Sequence, residues 1–383
     1  VRILHTSDWH VGKVLKGQSR ANDHIAALKA IVDVAEAEQP DLVIVAGDLY
    51  DSASPPADAT KIVTRGLSAL RKTGADVVVI GGNHDNGQAL DALRPWAEAA
   101  GITIRGALTR PEELLLAGST KGGEQWRLAA LPFVSQRYAV RAAEMFDLSA
   151  AESAQSYAHQ IGGLLATLAQ GFGRDTVNLI TGHLTVIGAT MGGGEREAHT
   201  IMGYAVPASV FPSSAHYVAL GHLHRAQAVN GPCPIRYSGS PLPIDFGEEE
   251  NFSAVAVVDV TTGTAARVRE VSLPVATPLR TVRGTLAQLA TLDTGDAWLR
   301  VYVSEQPRAG LREEVQELLP RALEVRIDPK LLPDSAAAGR AAARAGRSAG
   351  ELFSDYLGQK GHADEATVRL FHRLHDEVQE ARN

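Results

Sequence analysis

The chain has 383 residues, 45% of them hydrophobic and 5% aromatic, so it can bury a sizeable core and holds two or three domains at ~150 residues each. A formal net charge of −7 argues against a basic protein that grips nucleic acid through Lys and Arg clusters, so any phosphate substrate must be attracted locally. No apolar run approaches the ~20 residues that span a bilayer, the first residues enter a strand without a leader pattern, and the single Cys233 cannot form an internal disulfide; a cytoplasmic setting is expected.

Up to about Leu168, apolar strands alternate with amphipathic helical patterns. Ile3-Leu4, Leu42 to Ala46, Val77 to Ile80 and Asn178 to Ile180 read as strands, while Ile25, Leu28, Val32 and Ala35 fall at helical spacing and Ala57 to Lys72 continues in that style. This alternation predicts a layered α/β core. From Ala215 the texture changes to strands separated by turns: Tyr217 to Leu220, Ile235 to Ser238, Phe252 to Val260 and Ala266 to Val271, which predicts a strand-rich second sheet. Pro274 and Pro278 bracket a boundary. Beyond it a strand (279–282), helix (285–290), strand (297–303), helix (310–319) and strand (322–327) compose a small α+β domain. Residues 333–348 are almost wholly Ala, Gly, Arg and Ser and read as a linker or a weak exposed helix. Two short apolar-faced helices follow. Leu352, Phe353, Tyr356 and Leu357 mark one, and Leu370, Phe371, Leu374 and Val378 the other; this hairpin either docks on a partner or packs back on the body.

Five blocks rich in His and Asp end or follow those strands: DWH (8–10), GDLYD (47–51), GNHD (82–85), GH (182–183) and GHLH (221–224). Taken singly, an Asp-x-His or a His beside a strand is ordinary. Together, in strand-end positions, they fit one two-metal site, because ligands at neighbouring strand ends converge on one sheet edge. Two divalent ions ~3.5–4 Å apart can share a carboxylate and a hydroxide and clamp the attacking and leaving oxygens of an in-line displacement at phosphorus. Asp48 is the natural shared carboxylate, with Gly47 letting the backbone turn closely. Asp8 and His10 reach one ion, His222 and His224 can serve different ions, Asn83 offers an amide oxygen, and His183 completes the nitrogen set. Such shells suit manganese, iron or zinc rather than calcium.

The ordered blocks resemble the calcineurin-like metallophosphoesterases. The longer strings RILHTSDWHVGK (2–13), VAGDLYDSASPP (45–56), YVALGHLHRAQ (217–227) and RYSGSPLPIDF (236–246) are similar to the nuclease subunits of bacterial SbcCD-type double-strand-break processing complexes. The resemblance is close over residues 1–260 and rests on domain order beyond. It implies a four-layer α/β sandwich over 1–272, a capping α+β domain over 273–332, the linker at 333–348, and a helix-loop-helix over 349–383 that docks on an SbcC-type coiled-coil ATPase. It puts Asp8, His10, Asp48 and His224 on one ion and Asp48, Asn83, His183 and His222 on the other, leaving His84 to face the scissile phosphate, with Asp85 orienting that imidazole. Two divalent ions, a homodimer that forms a heterotetramer with the ATPase, exonuclease action on DNA duplex ends, and endonuclease action on single strands and hairpins are implied likewise. Relatives place a further histidine shortly after the GD motif, where this chain has Asp51, which reads as a turn residue.

The Gly-rich stretch 188–196 lacks the ending of a phosphate-binding P-loop and is expected to be a loop near His183 that shapes access. Arg20, Arg65, Arg94, Arg137 and Arg225 are either phosphate contacts or solvated surface groups. A phosphatase or cyclic-nucleotide phosphodiesterase would share the metal blocks, but needs no extra domain after Pro274.

Overall fold

The computed structural model describes residues 1–135, 157–195 and 205–331, together with Phe353, Leu357, Thr367, Val368, Leu370 and Phe371. In chain order its strands are β1 (Arg2–Thr6), β2 (Val14–Leu15), β3 (Gln18–Ser19), β4 (Leu42–Val45), β5 (Asp76–Ile80), β6 (Ile102–Arg105), β7 (Leu115–Ser119), β8 (Gln125–Leu131), β9 (Val177–His183), β10 (Thr185–Val186), β11 (Ala205–Val206), β12 (Tyr217–Gly221), β13 (Gln227–Val229), β14 (Ile235–Tyr237), β15 (Ala254–Thr261) and β16 (Thr264–Ser272). The order β16-β15-β1-β4-β5-β6 makes one sheet and β13-β14-β12-β9-β8-β7 a second. In the first, β1, β4, β5 and β6 run parallel; in the second, β14, β12, β9 and β8 do. Parallel strands are covered on both faces, which is why β4 and β12 are buried at every residue and read as unbroken apolar runs.

The two sheets lie face to face. Ile3, Leu42, Ile44 and Val78 from the first interdigitate with Leu128, Leu179, Tyr217 and Ala219 from the second. Helices Ala21–Glu38 and Ala57–Lys72 cover the outer face of the first through Leu28, Ile31, Val63 and Leu67, and helix Tyr157–Ala169 covers the second through Ile161, Leu164 and Leu168. The four-layer expectation is met. The strand-rich run after Ala215 does not form a sheet of its own, however: β12 to β14 complete the second sheet, while β15 returns to pair antiparallel with β1 in the first. A fixed hydrophobic pattern marks strands but not their partners.

After β16, strands β17 (Leu279–Gly284), β18 (Trp298–Val303) and β19 (Ala322–Ile327) form a separate three-stranded parallel sheet with helices Leu286–Leu289 and Leu311–Leu318. Its core is Val282, Leu289, Leu299, Val301 and Val315. Leu279, with Trp298 and Leu323, also packs on Leu15 and Phe246 of the larger body. Linker 333–348 and Leu352, Tyr356, Leu374 and Val378 lie outside the described residues. The Phe353 and Phe371 rings stack at 4.2 Å with a 15° interplanar angle, Leu357 is buried and Leu370 exposed. No helix among the described residues is long and apolar enough to cross a membrane.

Candidate metal centre

Because both sheets run their central strands in parallel, the C-terminal ends of β1, β4, β5, β9 and β12 open on the same edge. Asp8 and His10 follow β1, Asp48 follows β4, Asn83 and His84 follow β5, His183 ends β9, and His222 and His224 follow β12. The chain turns abruptly there. Of the six non-glycine residues with positive φ among those described, four are Asp8 (54°), His10 (47°), Asp48 (52°) and His222 (99°). Left-handed backbone costs a non-glycine residue about 1–3 kcal/mol, so four such residues at one edge mark a functional constraint that packing alone does not require. Gly47, at φ 93°, lies so close to His183 that a Cβ would overlap its Nδ1. The turn-permissive reading of that glycine holds, and close approach of the two sheets is the second reason for it.

All seven expected ligands come together. His183 Nε2 and His222 Nδ1 stand 2.8 and 2.7 Å from Asn83 Oδ1, and His183 Nε2 is 3.4 Å from Asp48 Oδ2. On the other side His10 Nε2 is 3.0 Å from His224 Nε2 and 3.6 Å from Asp48 Oδ2. Asp8 accepts from Ser7 Oγ (2.6 Å) and from the His222 amide (2.9 Å). Three sets of donor atoms lie within 4.8 Å of one another: Asp8, His10 and His224; His10, Asp48 and His84; Asp8, Asp48 and His183. Asp48 belongs to two of them, as a shared carboxylate must.

The donor chemistry fits cations. The carbonyl of Ala46 can only accept, so His183 carries a proton on Nδ1 (2.8 Å) and, when neutral, turns its Nε2 lone pair toward the Asn83 oxygen. His224 likewise directs Nδ1 to the Glu248 carboxylate at 2.5 Å, leaving its Nε2 against His10 Nε2. A neutral His183 therefore sets an Nε2 lone pair against the Asn83 oxygen, two acceptors that repel in a buried site unless positive charge sits between them. The buried carboxylates call for positive charge independently, whether from the imidazoles themselves or from an ion. Burial pushes the His183 imidazole down, but Asp48 outweighs it and raises its pKa to about 9; burial is likewise overridden at His224 by Glu248, giving about 10. Burial and the His224 charge hold His10 well below the usual range. Asp48 stays far below the usual carboxylate range although burial pushes it up, because His183, His10 and His84 surround it. Asp8, desolvated by burial, is raised. The cluster demands cations, and two divalent ions would supply them.

His84 sits with its ring edge-on to His10 at 4.6 Å between centroids, 7% exposed. Its Nδ1 faces the backbone carbonyl of Asp51 at 2.8 Å, and its amide donates to Asp48 Oδ1 at 2.8 Å. The expected role of Asp85 is corrected here. Its carboxylate accepts from the amides of Leu49 (3.2 Å), Tyr50 (3.0 Å) and Gly82 (2.9 Å), so it ties the β4 and β5 loops together, and the Asp51 carbonyl faces the imidazole instead. Burial and the nearby Asp48 raise Asp85 to about 7.

Two acidic residues were not evident in the sequence. Glu248, fully buried, holds His224, and Glu195 accepts from the amides of His224 (2.9 Å), Gly192 (2.5 Å) and Gly193 (2.8 Å). The described part of the glycine-rich stretch packs over His224 and Glu248: a Cβ on Gly192 would lie 2.8 Å from His224 Cβ, and one on Gly194 would overlap Glu248. Arg20 is no phosphate contact either. It is fully buried and ties Asp23 (2.5 Å) to the carbonyls of Pro243 (3.0 Å) and Thr277 (3.2 Å). Arg94 is engaged with the Ile104 carbonyl and Glu113, Arg225 is exposed beside His224, and Arg137 lies outside the described residues.

The family pattern of calcineurin-like phosphoesterases matches residues 1–226. The chain is similar to SbcD, a component of the SbcCD nuclease, from Bacillus subtilis (strain 168): the two are 33% identical over 323 residues, which is 82% of this chain and 81% of that one. It is 33% identical over 298 residues to the SbcD of Escherichia coli (strain K12), covering 76% and 72%. With that of Rhodobacter capsulatus it shares 32% over 328 residues, covering 81% and 78%.

Proposed function

This chain belongs to the calcineurin-like phosphoesterase family, in its SbcD branch, and is a metal-dependent nuclease; from that premise we propose which residues do the work, on which DNA, and with which partner. Asp8, His10, Asp48 and His224 hold one divalent ion, and Asp48, Asn83, His183 and His222 the other. Manganese is the proposed ion, with iron or zinc as alternatives that the mixed nitrogen and oxygen donor set accommodates equally. When bound, the ions stabilise the charge that builds at phosphorus during in-line displacement. The single observation that carries the reading is the convergence of these seven side chains from two sheets on one edge, with Asp48 in two of the three close donor sets.

The chain's own groups set the proton chemistry. A carbonyl can only accept, so His84 holds a proton on Nδ1 against Asp51 and keeps Nε2 as its exchangeable position. From there a protonated His84 can give a proton to the departing oxygen or stabilise charge on phosphorus. Asp85 fixes the two loops that set His84 over Asp48. The proposed substrates are DNA duplex ends, hairpins and single strands, with breaks in the nucleoid as the cellular target. The proposed assembly is a homodimer joined to an SbcC-type coiled-coil ATPase in a heterotetramer. The hairpin face of Leu352, Phe353, Tyr356, Leu357, Leu370, Phe371, Leu374 and Val378 is the proposed docking element; the paired Phe353 and Phe371 rings beside an exposed Leu370 are in keeping with it.

The test is cleavage of a labelled DNA hairpin and a blunt duplex with Mn2+ or Mg2+, with and without the ATPase partner and ATP. Cutting that depends on the metal and falls with His84→Ala supports the reading. Hydrolysis of small phosphoesters with no cutting of DNA under any of these conditions overturns it.

A further inference from the structure

Glu248 lies at the end of a 3-10 turn, Phe246–Glu248, whose two ends touch different parts of the molecule. At one end both oxygens of the buried Glu248 carboxylate are used: Oε1 faces His224 Nδ1 at 2.5 Å and Oε2 accepts from the Ile244 amide at 2.8 Å. A carboxylate on the far nitrogen of an imidazole fixes its tautomer and ring plane, here with Nε2 toward His10 and Asp48. Asn251 donates to the Gly192 carbonyl at 3.0 Å, holding the glycine-rich strand of chain over this pair, so Glu248 has little room to adjust.

At the other end, two residues away, the turn is gripped by the small C-terminal domain. Phe246 packs with Leu279 and against Trp298 and Leu323, and the Arg300 guanidinium lies 4.7 Å over its ring. Arg300 also stands 3.6 Å from Asp245, whose carboxylate caps the turn at the Gly247 amide (2.9 Å), and donates to Glu324 at 3.1 Å. Strands β17, β18 and β19 thus all reach the turn.

We infer that Phe246–Glu248 is a positioning relay: it passes the seating of the small domain to His224, so that the Asp8, His10 and His224 side of the metal centre reaches full affinity only while that domain is docked. Packed contacts of this kind shift as units rather than stretching, which suits transmission over two residues. The inference rests on the proposed role of His224 as a ligand.

Calorimetric titration of the metal-free full chain with Mn2+ tests it, alongside thermal unfolding without metal. Glu248→Gln is expected to weaken one of two sites about 10–100-fold and leave the other, as loss of such a carboxylate does elsewhere. Arg300→Ala, on the small domain, should weaken the same site at least about threefold, Arg300→Lys less, and the double variant no more than Glu248→Gln alone, since coupled residues are not additive. Arg308→Ala removes an exposed pair with Glu314 on the same domain and should match the parent. If Arg300→Ala titrates like the parent, or its effect simply adds to that of Glu248→Gln, the relay is wrong. If His224→Ala keeps two parental sites, the ligand assignment itself has failed.

Discussion

Gly82→Ala isolates the packing of the two loops that carry Asp48 and Asn83. A Cβ at Gly82 would stand 2.8 Å from Asp48 Cγ and overlap both Asp48 Oδ1 and its amide nitrogen. Carbon atoms rest at about 3.5–4.0 Å, so Asp48 must retreat by roughly 0.7–1.2 Å. Overpacking of this kind costs about 1–3 kcal/mol, which at roughly 2–4 °C per kcal/mol lowers the Tm by roughly 2–12 °C. A shift of ~1 Å at a group that positions the reacting centre costs about 100-fold in rate. The control is Gly123→Ala, at φ 88° with nothing within 4 Å of the added carbon, which incurs only a left-handed backbone cost of about 1–2 kcal/mol. Hydrolysis of a small phosphodiester, measured well below either Tm, should fall about 100-fold in Gly82→Ala and stay near parental in Gly123→Ala. Equal activities in the two variants would refute the argument that Asp48 is held by close backbone contact.

Three other outcomes are expected. His84→Ala should lower kcat on DNA by about 10²–10⁴-fold with unchanged Mn2+ stoichiometry; loss of an ion in that variant would make His84 a ligand. Treatment with a chelator should abolish cleavage and lower the Tm, and Mn2+ should restore both, with about 2.7 kcal/mol of stabilisation at 100 times Kd; cleavage that survives exhaustive chelation contradicts the metal assignment. Buried His5 bonds Tyr217 (3.0 Å) and the Leu220 carbonyl (3.1 Å) across the sheet interface, and burial, helped by Arg236, lowers it to about 3. Its folded value lies below the unfolded ~6.5, so its contribution is complete above pH 6.5 and lost as pH falls toward 3, by about 1.4 kcal/mol per unit. Urea midpoints of the parent should drop more steeply than those of His5→Gln between pH 6.5 and 4.5; parallel slopes would remove His5 from the account.

Much of the catalytic edge was legible because ligands of a two-sheet site must follow buried strands, and buried parallel strands are continuous apolar runs, as at Leu42–Val45 and Tyr217–Gly221. Each block announced itself by a His or Asp at such an end. The supporting groups could not be found that way. Glu248 begins a run of three glutamates that reads as a solvated acidic patch, and only the 3-10 turn rolls the first of them inward. Glu195 works through backbone amides brought together by the fold, and Arg20, spaced like a surface residue, is buried by contacts with Pro243 and Thr277 more than 220 positions away. Asp85 sits beside His84 in sequence, which suggested a pair, whereas the turn after β5 aims its carboxylate at the amides of Gly82, Leu49 and Tyr50. Strand partnership was equally hidden: nothing in β15 itself says that it returns to β1.

The central claim is that seven side chains hold two ions that share Asp48. Anomalous diffraction from crystals of the full chain soaked in Mn2+ reads this directly. Two peaks are predicted, one among Asp8, His10, Asp48 and His224 and one among Asp48, Asn83, His183 and His222, about 3.5–4 Å apart. A single peak, or two peaks without Asp48 between them, would contradict it.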